Sequence, residues 1–311
     1  MSAVPEIALT ATHAVSKPTT RQQLIRALIL SQVLAVVWWL AAIWIREANL
    51  IPVWYDQSIT FSRVNNLANP YEVVTFMYPP WAVFVFAFFN LFPLPMSVLM
   101  QTCIYFAVIT AVLFKFGGST RTVIVTLTSF VALDSALELN IEWLVYLGLL
   151  LPPEFSGIFL LIKPQAAFGY WFSFQRRTLV RAIIVLLVAL LVSFVLWGAW
   201  PMNMLNAVQA VTISGNAYSL FNVAPLHFLP APISILIGLW LAWRSFRRHD
   251  PILGILAWLF FTPYVAFYGL LLPLGLVAIR WFRLALLISV LIWLMYGGVI
   301  VYALLVRMSS N

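Results

Sequence analysis

Charge is scarce in this chain of 311 residues: 8% of its residues are Asp, Glu, Lys or Arg, and 64% are hydrophobic. Soluble globular domains carry about 25% charged residues, so this composition excludes an ordinary soluble domain. Cysteine is just as scarce. Cys103, the only one in the sequence, has no possible partner within the chain, which excludes an intramolecular disulfide.

The common motifs of soluble enzymes are also missing from the sequence. It contains no Walker A loop, no GxGxxG, no HExxH and no GxSxG. Nucleotide binding of the soluble type and hydrolysis by serine or zinc are therefore not expected, and we expect no cofactor. The net charge of +8 comes from short basic clusters between apolar runs, which is typical of cytoplasmic loops rather than of a nucleic-acid-binding surface.

Apolar runs of about 20 residues recur down the chain, long enough to cross a hydrocarbon layer of about 30 Å. They fall at 24–45, 78–92, 96–114, 121–139, 141–152, 155–174, 178–199, 224–243, 251–279 and 284–306. The pattern predicts an all-α, polytopic integral membrane protein with about nine to eleven transmembrane or partly inserted helices. Residues 1–20 are polar and lack a signal-peptide core, so we expect a flexible cytoplasmic tail before a single transmembrane domain at 21–311.

Two of the apolar runs contain a proline near their middle. Lys163-Pro164 interrupts one run and Thr262-Pro263 interrupts another. A proline removes a helix hydrogen bond, and the freed backbone groups survive at membrane depth only inside protein or against a water-filled cavity. Each break therefore predicts two short segments whose bend lines a cavity, and the alternative is a simple kink in one long helix.

The basic residues predict an orientation. With the amino terminus in the cytoplasm and both proline breaks at the outer face, 13 of the 17 basic residues lie inside, and Arg46, Arg63, Lys163 and Arg307 lie outside. The polar stretches 46–77 and 200–223 then form outer loops. The run 78–92 is short for a span, and we expect it to lie in the outer interface or to enter the membrane partway.

Asp56 is the first candidate for chemistry. It follows the first helix, after Trp54 and Tyr55, at the level where aromatic residues meet the membrane boundary. Partial desolvation raises the pKa of such a carboxyl group, and a cation such as Arg63 lowers it, which suits a general base. The alternative is an ordinary loop aspartate that caps a short helix.

Lys163 is the second candidate. Placing an ammonium inside an apolar run costs free energy, so a functional role is the default hypothesis. In the functional hypothesis its ammonium binds a phosphate, to which Gln165 could also form a hydrogen bond. In the alternative, the side chain extends (snorkels) to the membrane interface near a helix end. Asp134, Glu138 and Glu142 form an acidic cluster that could bind a cation, hold a basic partner such as Lys163, or line a cavity. His227 lies at the start of an apolar run, and with no other histidine or cysteine nearby it does not indicate zinc.

Five further elements, together with Asp56, stand in the order of a known family. Asp56 is followed by Asn69-Pro70-Tyr71, then by Tyr78-Pro79-Pro80 and Pro93-Leu94-Pro95; the later elements are Leu161-Ile162-Lys163-Pro164-Gln165 and Thr262-Pro263-Tyr264 through Tyr268 to Leu271-Leu272-Pro273. In this order they resemble the GT-C class of multispanning glycosyltransferases, in particular the polyprenol-phosphate-mannose-dependent mannosyltransferases. The resemblance covers most of residues 50–275. The chain departs from it in length, and in carrying Asn140-Ile141-Glu142 where the family has Gly-Gln.

The resemblance implies transfer of a hexose, such as mannose, from a polyprenyl-phosphate-linked donor to an acceptor outside the cytoplasm. The acceptor would be a glycan, a glycolipid or a protein, at the inner or plasma membrane. Asp56 would activate the acceptor hydroxyl, and Lys163, Arg63 and Gln165 would bind the donor phosphate. The residues expected to line the cavity or hold the acceptor are Tyr71, Glu72, Tyr78, Glu142, His227, Tyr264 and Tyr268. A divalent metal, the sugar and the stereochemistry stay open.

Two rival functions remain. A small transporter or lipid flippase also uses broken helices at membrane depth, but the sequence has no inverted repeat, and the surroundings of Pro164 and Pro263 differ. A membrane scaffold without catalysis is the third possibility. In that case Asp56 would be replaceable without loss.

Overall fold

A computed structural model describes residues 21–73, 75–214 and 222–309, and the predicted tail at 1–20 lies outside these ranges. The described residues are helical, with no β-strand and one isolated bridge between Asn222 and Ala266. Their α-helices are, in chain order, α1 Arg21–Glu47, α2 Tyr55–Ile59, α3 Val83–Phe89, α4 Leu94–Lys115, α5 Thr120–Leu127, α6 Phe130–Glu138, α7 Glu142–Leu147, α8 Ser156–Leu160, α9 Pro164–Ala167, α10 Arg176–Trp197, α11 Trp200–Ser214, α12 Pro225–Phe228, α13 Ala231–Arg248, α14 Pro251–Leu259, α15 Leu271–Arg280 and α16 Phe282–Ser309. Short 3₁₀ helices lie at Phe61–Arg63, Pro70–Glu72, Pro80–Ala82, Pro153–Phe155, Phe168–Ser173 and Phe267–Leu270. The all-α prediction is confirmed.

Three of the described helices, α1, α4 and α10, are long and apolar enough to cross a membrane. Helices α5 and α6 are bent by 62° at a short break and would count as a fourth span if they act together. The sequence predicted about nine to eleven spanning or partly inserted helices, and most of the other runs fold into shorter helices. The run 78–92 is one of them: its α-helix Val83–Phe89 has 7 residues, or about 10 Å, too short to cross a bilayer.

Helix ends coincide with prolines and capping side chains. Pro164 and Pro251 stand in the first turns of α9 and α14, where the missing N–H costs no helix bond. Ser129 begins α6 by accepting a hydrogen bond from the backbone of Ala132. The stretch 200–223, predicted as a loop, begins instead with α11, and residues 215–221 lie outside the described part.

Helices α1 and α4 are antiparallel neighbours. The indole nitrogen of Trp39 donates to the carbonyl of Pro95 over 3.0 Å, and the amide of Gln32 donates to the carbonyl of Cys103 over 3.2 Å. The amino end of α1 therefore lies beside the carboxyl end of α4, where Lys115 is found. The carboxyl end of α1, which leads to α2, lies at the opposite end of the structure.

The segment 153–173 forms a first hairpin. Its two limbs meet where the indole nitrogen of Trp171 donates to the hydroxyl of Ser156 over 3.1 Å. Its first limb begins at Glu154, whose carboxylate lies 3.9 Å from the guanidinium of Arg181 in α10. The tip of the hairpin is the break between α8 and α9. The predicted interruption at Lys163-Pro164 is confirmed as two short segments rather than a kink.

The segment 251–280 forms a second hairpin around the other predicted break. Asp250, just before it, caps α14 and accepts a hydrogen bond of 2.6 Å from Arg280 at its far end. The ring of His249 contacts the carbonyl of Ser173 over 3.1 Å, so the bases of the two hairpins are adjacent. The tip runs from the end of α14 through Thr262 and Pro263 to the 3₁₀ turn before α15.

The bases of the hairpins and the end of α4 share one end of the structure, because Phe116 packs against Tyr170 with ring centroids 6.1 Å apart. We call it the basic end, since it carries a large share of the basic residues. They are Lys115, Arg176, Arg177, Arg181, Arg244, Arg247, Arg248, Arg280 and Arg283. This grouping agrees with the charge asymmetry in the sequence.

The two hairpins touch through a pair of glycines. A Cβ atom on Gly169 would lie 2.1 Å from the carbonyl oxygen of Gly254, and one on Gly254 would lie 2.4 Å from the carbonyl oxygen of Gly169. Trp258 reinforces this contact by donating to the carbonyl of Pro164 over 2.8 Å. Small residues allow the two backbones to approach closely, as at helix contacts in membranes.

We expect Gly169→Ala and Gly254→Ala each to destabilise the protein by about 1–3 kcal/mol, the usual cost of overpacking. The measurement is the apparent melting temperature of the purified protein in detergent. Gly297→Ala is the matched control, because a Cβ there meets no described atom within 4 Å. Melting temperatures equal to that of the parent protein for both hairpin variants would contradict the packing described here.

Candidate functional site

A cluster of five polar side chains lies where the loop after α1, the α6–α7 corner and the two hairpin tips meet. Asn140 is at its centre. Its side-chain nitrogen donates to a carboxylate oxygen of Asp56 and, over 2.7 Å, to the hydroxyl of Tyr268. Its side-chain oxygen accepts from the ammonium of Lys163 over 2.9 Å and from the backbone of Ile141 over 2.7 Å. Asn140 is thus hydrogen-bonded both to Asp56, the predicted base, and to Lys163, the residue predicted to bind the donor phosphate.

Lys163 lies in the break of the first hairpin and is 8% exposed. Its backbone is non-helical, with φ −146° and ψ 81°, because Pro164 begins the next helix and disfavours a helical residue before it. The ammonium forms an ion pair with Glu142 and lies 4.9 Å from the ring centroid of Tyr268. Its position at a helix break agrees with the predicted interruption at Lys163-Pro164.

Glu142 occupies the first turn of α7 and is 1% exposed. The preceding helix α6 ends at Leu139, whose φ of 47° turns the chain sharply. This turn leaves Asn140 and Ile141 as a short connection, so that Asn140 and Glu142 both reach the first hairpin. Of the three predicted roles of the acidic cluster, Glu142 takes two: it is the partner of Lys163, and it lines a cavity.

Asp56 is held near Asn140 by its own loop. Trp54 adopts a left-handed conformation with φ 58°, and its backbone N–H donates to the carbonyl of Leu137 over 2.6 Å. The guanidinium of Arg46 covers the Trp54 ring at 5.0 Å. These contacts fix the start of α2 against the end of α6, and Asp56 follows in the first turn of α2.

Burial raises the pKa of Asp56 to about 6. The charge of Lys163 lowers this pKa, the carboxylate of Glu142 raises it, and the hydrogen bond from Asn140 lowers it. Near neutral pH the group is therefore ionised and yet close to its pKa. A carboxylate of this kind suits the role of a general base.

A small cavity adjoins this cluster. Its volume is about 10 Å³, close to the space of one water molecule. The lining residues come from α7 and from both hairpins and are Glu142, Lys163, Gln165, Ala166, Leu259, Tyr264, Val265, Ala266 and Gly269. Gln165 and Tyr264 were predicted for the site and line the cavity. Asp56 is not one of the lining residues and reaches Lys163 through Asn140.

Other predicted site residues lie outside the cluster. Tyr71 donates from its hydroxyl to the carbonyl of Tyr78 over 2.8 Å, and Tyr78 is buried among phenylalanines. Tyr78 also lies close enough to Tyr268, a member of the cluster, to interact with it electrostatically. Glu72 is exposed and accepts hydrogen bonds from asparagine side chains of its own loop. Arg63 and His227 are exposed, and within the described residues neither is hydrogen-bonded or ion-paired to the cluster. Arg63 was predicted to lie next to Asp56, but among the described residues no ion pair joins the two side chains.

Asp134 and Glu138 lie on one face of α6 and are partly exposed. Within the described part of the chain, no group of three or more His, Cys, Asp or Glu side chains is placed to hold a metal ion. Asn140 is the site residue that the sequence did not single out, except as part of a departure from the family pattern. An asparagine between two apolar runs, two residues from Glu138 and two from Glu142, was the available signal.

In comparisons with known proteins, no protein-family profile, curated protein or solved structure matches the chain.

Asn140→Ala should raise the pKa of Asp56, because it removes a donor that stabilises the ionised carboxylate. A hydrophobic carbodiimide reacts with protonated carboxyl groups, so labelling of Asp56 in the parent protein should fall as the pH rises through about 6. In the variant this fall should come at higher pH. The labelled peptide is quantified by mass spectrometry.

Asn66→Ala is the control for that experiment, since Asn66 also donates to a carboxylate, that of Glu72, but on the exposed part of the loop. It should leave the labelling of Asp56 unchanged. Labelling of Asp56 that does not vary between pH 5 and pH 8, or that shifts to lower pH in Asn140→Ala, would refute the assigned hydrogen bond.

Proposed function

We propose that the chain is a polytopic membrane protein. Helices α1 and α10 support this. Only 17% of the most apolar stretch of α1, and only 11% of that of α10, is buried within the protein. Val195 in α10, for example, is 85% exposed. Contiguous apolar surface of this extent is stable against lipid but not against water. The proposed orientation places the basic end in the cytoplasm and Asp56 toward the outer face.

We further propose that the protein is a glycosyltransferase that takes a hexose, mannose or a similar sugar, from a polyprenyl-phosphate donor. The observation that carries the proposal is the bridge through Asn140, which places a base-competent carboxylate and a buried ammonium on the same amide. Sugar transfer from a lipid phosphate needs these two groups. One accepts a proton from the acceptor, and the other stabilises the departing phosphate.

In the proposed reaction Asp56 accepts the proton of an acceptor hydroxyl. The acceptor oxygen then forms a bond to C1 of the sugar, while the bond between C1 and the phosphate oxygen breaks. Lys163 stabilises the negative charge that develops on this oxygen. Asn140 keeps the two groups apart and in fixed orientation. The phosphate leaves as an anion and needs no separate general acid.

The donor phosphate must also compete with the ion pair between Lys163 and Glu142. The Lys163 ammonium is neutralised by Glu142, so a phosphate must share it with this carboxylate or displace it. Gln165 follows Lys163 in the next helix turn and lines the same cavity, where its amide can donate to the phosphate. The acceptor is a glycan, a glycolipid or a protein reached from the outer side.

Asp56→Asn should lower the turnover of sugar transfer by about 10²–10⁴, the usual contribution of a general base. The amide keeps the shape of the side chain but cannot accept the proton, and donor binding should remain. The assay uses purified protein, a polyprenyl-phosphate hexose and no nucleotide. Glu47→Gln, at an exposed carboxylate, is the control and should keep full activity. Full transfer activity in Asp56→Asn would eliminate Asp56 as the base.

Lys163→Ala should weaken donor binding by at least tenfold, because it removes the cation that meets the phosphate. Direct binding of the polyprenyl-phosphate hexose to the purified protein is measured, so that a loss of turnover is not mistaken for a loss of affinity. Lys115→Ala removes a lysine at the basic end and should leave donor binding unchanged. Equal donor affinity in both variants would contradict the role given to Lys163.

The proposed orientation is tested with single cysteines in a Cys103→Ser background. Ser62 and Arg247 are exposed, the first in the loop after α2 and the second at the basic end. A membrane-impermeant maleimide added to intact cells should label Ser62→Cys at once and Arg247→Cys only after permeabilisation. The opposite pattern would place the candidate site on the cytoplasmic face.

A transporter of lipid-linked sugars is the second candidate, favoured by the two broken hairpins that meet at one buried polar site. Reconstituted vesicles distinguish the two functions. A transferase cleaves the sugar from the lipid and passes it to the acceptor. A transporter moves the intact lipid between leaflets without cleaving it.

A further inference from the structure

Glu142 has one carboxylate oxygen that the described residues leave without a partner. Its Oε1 atom pairs with Lys163, while its Oε2 atom is buried and accepts no hydrogen bond from any described group. Buried polar atoms in proteins are almost always hydrogen-bonded, and an unpaired charged oxygen is especially costly. An oxygen of this kind, in a residue that lines a cavity, points to a ligand that donates a hydrogen bond.

The cavity beside Glu142 has the size of one hydroxyl group or one water, at about 10 Å³. Gly269 keeps this space free on the side of the second hairpin. A Cβ atom on Gly269 would lie 3.9 Å from Glu142 Oε1 and 3.7 Å from the nearest side-chain carbon of Val265. Both are ordinary contact distances, so a methyl group fits there and narrows the cavity without a clash.

We propose that Glu142 and this cavity form a subsite for a hydroxyl group of the donor sugar. The proposal rests on the proposed sugar transfer and adds the residue that recognises the sugar. An ionised carboxylate only accepts hydrogen bonds, which excludes a phosphate oxygen as its ligand. A hydroxyl group is a neutral donor of the right size. The amide of Gln165, on the same cavity, supplies a second polar contact.

The position of Lys163 identifies the donor sugar rather than the acceptor. Lys163 contacts the other oxygen of the same carboxylate, so a phosphate held by this lysine places the attached sugar ring next to Glu142. The ion pair weakens the attraction of Lys163 for any phosphate, and only the sugar-bearing lipid adds the hydroxyl contact with Glu142. The site therefore favours a lipid phosphate that carries its sugar over the sugar-free product, which promotes product release.

The test compares the affinity of the purified protein for polyprenyl phosphate with its affinity for polyprenyl-phosphate hexose. In the parent protein the sugar-bearing lipid should bind at least tenfold more tightly. Gly269→Ala should reduce this preference by about 10- to 100-fold, the worth of a hydrogen bond to a charged group, and leave the affinity for the sugar-free lipid unchanged. Gly298→Ala, where a Cβ meets no described atom within 4 Å, is the control.

Glu142→Gln tests the same subsite through charge. It should also reduce the preference for the sugar, and it should strengthen binding of the sugar-free lipid, because Lys163 loses its neutralising partner. If both variants keep the preference of the parent protein, the cavity holds a water only and the subsite is refuted, while the proposed transfer stands. If the parent protein binds neither lipid, the proposed function fails and the subsite fails with it.

Discussion

The site depends on a lysine ammonium that is buried against a carboxylate. Lys163 and Glu142 are 8% and 1% exposed, so each would be an uncompensated charge without the other. Removing one member of a buried pair costs about 3–5 kcal/mol, because the remaining charge stays out of water. The surrounding contacts serve this pair: Asn140 accepts from the ammonium, and the ring of Tyr268 covers it.

The broken hairpins follow from the same constraint. A continuous helix through 155–174 would carry Lys163 with no nearby carboxylate on its own chain segment. The break at Pro164 instead brings the lysine to the start of α7, where Glu142 and Asn140 are. Lys163 at the first break and Thr262 at the second are buried within the protein. Burial of this kind is the condition for irregular backbone at membrane depth.

The sequence predicted the parts of the site that local rules control. A lysine followed by proline inside an apolar run indicated both a break and a functional charge, and the break is confirmed. The all-helical architecture followed from composition and from the length of the apolar runs. Asp56 and Lys163 were singled out by their positions relative to the apolar runs, Glu142 came from the acidic cluster, and Tyr268 came from the family resemblance.

What the sequence missed depends on contacts between distant segments. The weak sequence signal at Asn140 did not indicate its role, which depends on the turn at Leu139, and no nearby residue in the sequence predicts that turn. Arg63 and His227 belong to polar stretches, but the loop fold leaves them exposed. The sequence also could not predict the lengths of the hairpin limbs, because an apolar run has the same composition whether it crosses a membrane or turns back.

The central claim is that the cluster around Lys163 receives the phosphate of a lipid-linked sugar. Cryo-electron microscopy of the protein with a bound polyprenyl-phosphate hexose tests it most directly. The account predicts a phosphate oxygen within about 3 Å of the Lys163 ammonium, with the sugar between Glu142 and Asp56. A phosphate bound at the arginines of the basic end, with the Lys163–Glu142 pair undisturbed, would contradict it.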